Sequence, residues 1–425
     1  MATRPYDDLD NAYATSLPGW EIEVNSAALD IDYDFFNGIR LFNQLQVSKS
    51  DVDRVTGVAS GDAVISSEEI SNEFRLSFGE SGDRLSGLVG LYARKVESDD
   101  RLWMYVTKAD GVGADTQYDD TKTYLGLFGE VTWNFAERWS LNAGLRAERD
   151  RIEREGQSAY ITEPADYDET FTELLPRLSL SYELNPDWTV GALYSRGYNP
   201  GGVSPNFTTF RWEEFDAETI DNYELFTRAS LMGDRLFVTA NLFYMDYADA
   251  QYNIQNAVAP GVFNIYTINA EESHAYGLDL GVDFAPSQAL RLSGSLGLLE
   301  TKIEEISRNT DFEGNAFAKA PPVTLTLGAD WGVTDRLRLG GQLRHVGGDY
   351  YSDVGNTGDY KVGDYTIADI QASYAIVEGL EVYGYVNNLF DVREATFKQF
   401  NRTGGGTEAS ITTPRTVGIG FRGTF

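Results

Sequence analysis

Two histidines, His274 and His345, are the only imidazoles in 425 residues, and cysteine is absent. Thiolate nucleophiles, thiolate zinc sites and disulfide frameworks are thereby excluded. Neither histidine lies in an H-E-x-x-H pattern or has a second imidazole close by, so the spacing of helical zinc hydrolases is missing. One histidine would suffice for a Ser–His–Asp triad, but no G-x-S-x-G elbow accompanies it. Each is expected to be a polar residue of a rim or lumen, and no catalytic or metal-binding residue is assigned. The run Gly418-Ile419-Gly420-Phe421-Arg422-Gly423 matches G-x-G-x-x-G. That fingerprint needs a helix after it and an acidic residue further on, and only Thr424 and Phe425 follow. Glycines on a closely packed strand are the better reading. Asp115, Asp119 and Asp120, or Asp311 and Glu313, could offer oxygens to calcium. The D-x-[DN]-x-[DN]-G order of a calcium loop is missing, so they are read as solvated loop acids.

The elements that would position any site are strands. The chain carries 34 basic against 66 acidic residues, a formal charge of −32. That argues against nucleic acid, whose phosphates need a basic surface. Mean hydropathy is −0.33, and no run approaches the roughly 18 apolar residues of a spanning helix. Aromatics make up 13%, with 25 Tyr, 23 Phe and 42 Gly, a composition that favours β structure. The start, MATRPYDDLD, lacks the basic and apolar regions of a signal peptide. Alternation with period two dominates. Val323, Leu325, Leu327, Ala329 and Trp331 alternate with Thr324, Thr326, Gly328 and Asp330. Tyr276, Leu278, Leu280, Val282 and Phe284 do the same, as do Leu290, Leu292, Gly294, Leu296 and Leu298. Such strands separate two different environments.

Short polar turns recur at Phe36–Gly38, Glu80–Asp83, Ala136–Arg138, Asn185–Asp187, Gly233–Asp234, Pro286–Gln288, Thr334–Arg336 and Val377–Gly379. Longer polar segments such as 104–120, 203–217, 306–316 and 398–408 lie between them. Eight hairpins and a final strand near 411–425 predict about 17 strands. The strands are too long for a kelch-type propeller, and a soluble sandwich would leave wide apolar faces uncovered. The predicted fold is all-β: an antiparallel transmembrane β-barrel of about 16–18 strands, with short periplasmic turns and long extracellular loops. Residues 1–18 are taken as an extension or loop remnant and 19–425 as the barrel. Leu296 and Leu325 should face lipid. Trp139, Tyr182 and Trp188, beside short turns, should form part of an aromatic girdle. An unpaired first strand would be an aggregation hazard; whether it closes directly on the last strand is left open.

Several stretches resemble TonB-dependent outer-membrane receptors. They are Pro176–Tyr182, Tyr194–Gly202, Glu218–Leu225 followed by Leu242–Tyr247, and Asn387-Asn388-Leu389-Phe390-Asp391, with Glu73–Ser77 and Gly144–Glu148 fitting the same pattern. The resemblance runs from about residue 20 to the end. It implies a bacterial outer-membrane location and uptake of a scarce nutrient such as a ferric siderophore, with no enzymatic activity and no cofactor. The final strand, ending in Phe421 and Phe425, resembles the signal read by the barrel assembly machinery, and outer-membrane lipid is the surrounding partner. Receptors of this family also carry a plug and a TonB-pairing segment. Neither is recognisable, so TonB would act only through a plug from elsewhere. A passive porin-like channel and a non-transporting barrel fragment or scaffold are the alternatives. In a receptor, loop aromatics and upper lumen residues capture the small-molecule ligand. Trp103, Tyr105, Phe207, Phe210, Trp212, Phe263, Tyr266, Tyr350 and Tyr351 are the candidates, with Arg196 and Arg211 as anion contacts. The opposing reading is that these aromatics pack loops against one another. The overall charge would steer cationic or neutral ligands, and the histidine motif of haem receptors is not found.

Overall fold

A computed structural model describes residues 19–35, 38–55, 62–80, 82–105, 113–158, 161–259, 262–400 and 406–424. Phe425 and the side chains of Trp103, Tyr105, Phe263 and Asp115 lie outside what is described. Nearly all of the described chain is strand. In order these are β1 (Gly19–Asp34), β2 (Ile39–Val55), β3 (Asp62–Phe78), β4 (Leu85–Tyr105), β5 (Gly113–Ala136), β6 (Trp139–Ser158), β7 (Ile161–Asn185) and β8 (Trp188–Asn199). Next come β9 (Gly202–Asn206), β10 (Arg211–Phe215), β11 (Glu218–Leu231), β12 (Leu236–Ala259), β13 (Val262–Ser287), β14 (Leu290–Glu305), β15 (Val323–Gly332) and β16 (Leu337–Gly347). The last are β17 (Tyr350–Tyr351), β18 (Lys361–Val362), β19 (Tyr365–Val377), β20 (Leu380–Asn387), β21 (Ala395–Phe400), β22 (Thr407–Ile411) and β23 (Thr416–Gly423). Seventeen of them form one antiparallel meander from β1 through β8, then β11 to β16, β19, β20 and β23. The pairs β9–β10, β17–β18 and β21–β22 are small separate hairpins. The strand number agrees with the sequence reading.

The ladder settles which side chains share a face, because directly paired residues point the same way. Leu225 pairs with Leu242, Leu242 with Leu278, Leu278 with Leu298, and Leu298 with Val323. One step along, Leu280 pairs with Leu296 and Leu296 with Leu325. This apolar face is open: Leu225 is 60% and Leu242 55% exposed. Apolar area on that scale matches a lipid-facing wall. Aromatic rows bound it. Trp133, Phe135, Trp139 and Tyr182 are in ring contact at 5.4, 6.2 and 4.5 Å beside the short turns. Tyr194 and Tyr223 lie 5.2 Å apart at the other margin, in register with Tyr244 and Tyr276. From Tyr276 to Phe284 is about 26 Å of strand at about 3.3 Å per residue, close to the height of a bilayer-spanning band.

The opposite face is polar and built around arginines laid on rings. Arg75 sits over Phe42, Arg94 over Tyr124, and Arg146 over both Tyr92 and Phe128, at about 5.5 Å. Arg94 bonds Glu69 at 2.7 Å, and Arg146 grips Glu148 through two nitrogens. This is the lumen. Glycine keeps the wall close-packed where ring and backbone press together. At Gly277 a Cβ would stand 2.0 Å from the Leu298 carbonyl oxygen and 2.7 Å from the Phe243 ring.

One question left open by the sequence is answered, and one expectation needs correction. No ladder joins β1 to β23 among the described residues. β1 is exposed on both faces, and Val417 and Ile419 are 74% and 78% exposed. Seventeen is odd, so in an antiparallel meander the first and last strands run the same way. Direct closure would need a parallel ladder. The long polar segments are also not plain loops. The wall strands β4 and β5 run to Tyr105 and from Gly113, 203–217 holds β9 and β10, 306–316 holds a 3₁₀ turn at Thr310–Phe312, and 398–408 overlaps β21 and β22. Backbone pairing continues past the lipid, although the apolar alternation that marks it in the sequence does not.

Candidate functional site

Above the upper tyrosine row, β8 leaves the wall. Its ladder with β7 stops at Arg177–Ser195, while its last residues pair only with β11. The chain then turns inward. Gly201 lies so close to the Phe171 ring that a Cβ would stand 2.8 Å from it. The β9–β10 hairpin follows, against the lumen side of β6 and β7. Val203 packs on Ile152 and Tyr167, with Tyr124, Phe171 and Trp212 around them.

A buried charge pair holds the hairpin to the wall. Arg154 of β6 donates to both Asp120 oxygens of β5, at 2.7 and 2.6 Å, and to the Val203 carbonyl at 3.1 Å. Its guanidinium lies 4.6 Å over the Tyr118 ring, which meets Trp212 edge-on at 5.7 Å. These groups stand outside the membrane band, on the loop-side extensions of the strands. Burial pushes the Tyr118 hydroxyl up to about 12 and raises the Asp100 carboxyl above its ordinary value. On its far side the hairpin reaches β13 and the loop after β14. Thr267 donates its backbone N–H to Ser204 Oγ, Asn269 brackets the backbone of Asp216, and Arg308 meets Glu213 at 3.4 Å. The hairpin therefore ties β6–β7 to β13 across the mouth.

Between it and the upper end of β7 lies a cavity of about 660 Å³. Phe210, Arg211 and Trp212 line it, together with Glu163, Asp166 and Glu214. Phe210 is exposed and left-handed at φ 54. Trp212 donates Nε1–H to the Glu163 carbonyl at 2.8 Å, so its ring is fixed at the cavity wall. Among the described residues, Arg211 has no ion-pair partner and is exposed. The arrangement offers one exposed cation and two rings within an acidic rim.

The other expected site residues are placed differently. Phe207 is 7% exposed, in the turn of the same hairpin. Tyr266 packs on a second cluster of Ala250, Ile254, Ile268, Ile303, Ile306 and Val354. There Asp249, at φ 56, breaks the alternation of β12, so that Tyr247 and Tyr252 both reach Phe317. Tyr350 is buried and donates to the Thr396 carbonyl; Tyr351 accepts from the Lys319 amide. These three aromatics pack loops together. Arg196 stands one step above the upper tyrosine row, on the outward face by strand parity, and is held by Asp221 at 2.8 and 2.6 Å. It is remote in role from the cavity.

The chemistry dismissed from sequence is also accounted for. Asp119 and Asp120 are adjacent on a strand and point to opposite faces, and Asp120 is taken by Arg154. His274 lies between Tyr244 and Tyr276 with Nδ1 3.2 Å from Glu304, and His345 meets Thr366 at 2.8 Å. Both belong to the rim of the outward face. Gly418 and Gly420 make room for the rings of Tyr385 and Tyr383. Asn388 carries the Asn387–Asp391 motif: it is 3% exposed, at φ 50, and its amide bonds Val392 and Thr413. Arg154 and Glu163 were missed in the sequence, where they read as ordinary strand charges, and Asp120, read there as a solvated loop acid, is instead the buried partner of Arg154.

Residues 2–389 match the family model described as TonB dependent receptor-like, beta-barrel. The chain is 27% identical over 319 residues to the pesticin receptor of Yersinia pestis, covering 73% of this chain and 45% of that protein. It is 23% identical over 302 residues to an iron-regulated outer membrane virulence protein of Vibrio cholerae, covering 66% and 42%. It thus spans less than half the length of these relatives. Among solved structures, the ferric yersiniabactin uptake receptor of Yersinia pestis aligns with TM-score 0.80 at 20% identity, covering 96% of this chain and 62% of that one. The siderophore receptor PiuA of Acinetobacter baumannii aligns at 0.79 and 16%, covering 95% and 64%. With its lipid-facing band, polar lumen and elaborated mouth, the chain belongs to the family of TonB-dependent receptor-like β-barrels of the bacterial outer membrane.

Proposed function

We propose that this chain is the barrel of a receptor that takes up a scarce nutrient as a small-molecule complex, of the ferric siderophore class. The observation that carries this reading is the asymmetry of the two ends. Among the described residues, one end has only tight turns; the other ties a hairpin across the mouth and leaves a cavity with Phe210, Arg211 and Trp212 at its wall. Passive channels have no need of a ligand-sized cleft built from rings and a free cation. The relatives named for iron and siderophore uptake support the same class. The role is capture and passage without catalysis, coupled to TonB through a plug. Outer-membrane lipid surrounds the wall, and Phe421 with Phe425 addresses the assembly machinery.

The test is tryptophan fluorescence of the refolded chain, titrated with ferric siderophores of positive, zero and negative charge. Saturable quenching that Trp212→Ala and Arg211→Ala abolish, and Arg196→Ala does not, is the expected result. Large, steady, ligand-insensitive conductance in a planar bilayer, with no quenching, would instead establish a porin-like channel.

A further inference from the structure

The inward departure of β8 has a consequence for its neighbour. β7 is paired with β6 along Ile161–Tyr182, but with β8 only from Arg177 downward. Over Ile161–Pro176 its other edge has no ladder partner among the described residues, and no backbone–backbone hydrogen bond reaches it there, while the Glu163 carbonyl at its upper end accepts from Trp212 Nε1–H. Pro176 lies directly opposite Leu145 in the β6–β7 ladder without a bulge. A proline fits there only if the even-numbered amides point away from β6. Asp166, Asp168, Thr170 and Thr172 then present alternating N–H and C=O groups to the open side, above the lipid band. Their side chains are exposed.

The edge is acidic. Glu163, Asp166, Asp168, Glu169 and Glu173 fall within Ile161–Pro176, and no Lys or Arg does. Asp168 is neutralised by Arg151. Glu163, Asp166, Glu169 and Glu173 have no ion-pair partner among the described residues. At its upper end the strip opens into the cavity walled by Glu163, Asp166 and Glu214.

We propose that the free edge of β7 over Asp166–Thr172 is a docking strip for an extended, basic peptide segment of a partner protein, which joins the sheet as one added strand. Only an extended backbone matches a row of alternating donors and acceptors. The carboxylates select basic side chains and reject phosphate-bearing partners. A second copy offering β1 is disfavoured, because Gly19–Asp34 holds five carboxylates and no basic residue.

The probe is a short fluorescent peptide alternating lysine with threonine, titrated by anisotropy into the full chain in micelles. Saturable binding is expected. N-methylation of alternate peptide amides should weaken it about tenfold or more, since several hydrogen bonds are lost at once. Thr170→Pro should do the same, because that amide faces the open side; Thr170→Ala should bind normally. Absence of saturable binding, equal binding of the N-methylated peptide, or indifference to Thr170→Pro in a folded chain would each overturn the proposal. If Thr170→Pro fails to fold, the N-methylated peptide decides on the unsubstituted chain. A dimer dispersed by Thr170→Pro would overturn it in favour of a second copy.

Discussion

Leu296→Arg tests the assignment of inside and outside directly. Leu296 pairs with Leu280 on one side and Leu325 on the other. Leu280 lies four residues from Tyr276 and four from Phe284, so about 13 Å of strand separates this row from each aromatic margin. Leu280 and its direct partner Leu296 are therefore near mid-bilayer. Arginine there costs about 2–4 kcal/mol, falling to about 0–1 near the interfaces. The neighbour Ser295 points into the lumen beside Gly281 and Thr326, where a guanidinium stays hydrated. Ser295→Arg should then cost less than about 1 kcal/mol. The pair of variants should differ in folding equilibrium constant by roughly one to two orders of magnitude. Urea titrations of folding into lipid vesicles, read by heat-modifiable gel mobility, measure both. Equal costs, or a larger cost for Ser295→Arg, would refute the face assignment and with it the membrane reading of the band.

Three further outcomes are expected. Arg154→Ala leaves Asp120 buried without its partner, which costs about 3–5 kcal/mol locally; faster proteolytic nicking of the β9–β10 hairpin than in Arg151→Ala is the readout. Gly277→Ala forces a methyl group into the Leu298 carbonyl and should cost about 1–3 kcal/mol. Gly294→Ala, where the nearest atom to a Cβ is 3.5 Å away, should be close to neutral in the same folding titration. Asn388→Ala removes three hydrogen bonds from a buried left-handed position and should cost about 2–3 kcal/mol. Asn388→Asp keeps only the acceptor for the Val392 amide and sets a carboxylate oxygen against the Val392 and Thr413 carbonyls, so it should not recover the loss at neutral pH, as thermal melts would show.

How much was legible follows from what each residue responds to. The alternation at Val323–Trp331 and Tyr276–Phe284 is a direct record of lipid on one side and water on the other. Strand number, turn positions and the wall faces could therefore be read from side-chain type alone. The turn glycines and the motif around Asn388 were similarly local, since a left-handed residue is required where it stands.

The mouth was different. Phe207, Tyr350 and Phe210 have the same chemistry and similar settings in the chain, yet the first two are buried and the third lines a cavity. What separates them is where β8 leaves β7, and that depends on packing between segments about 50 residues apart, such as Arg154 with Val203. Beyond the lipid, both faces of a strand meet water or other loops, so no periodicity marks where a strand continues. Edge and closure likewise belong to the whole sheet. The antiparallel meander of the hairpins followed from the sequence, because each ladder is made by neighbours in the chain. Whether β1 meets β23 was decided only by tertiary structure, because an odd number of strands leaves those two edges running the same way.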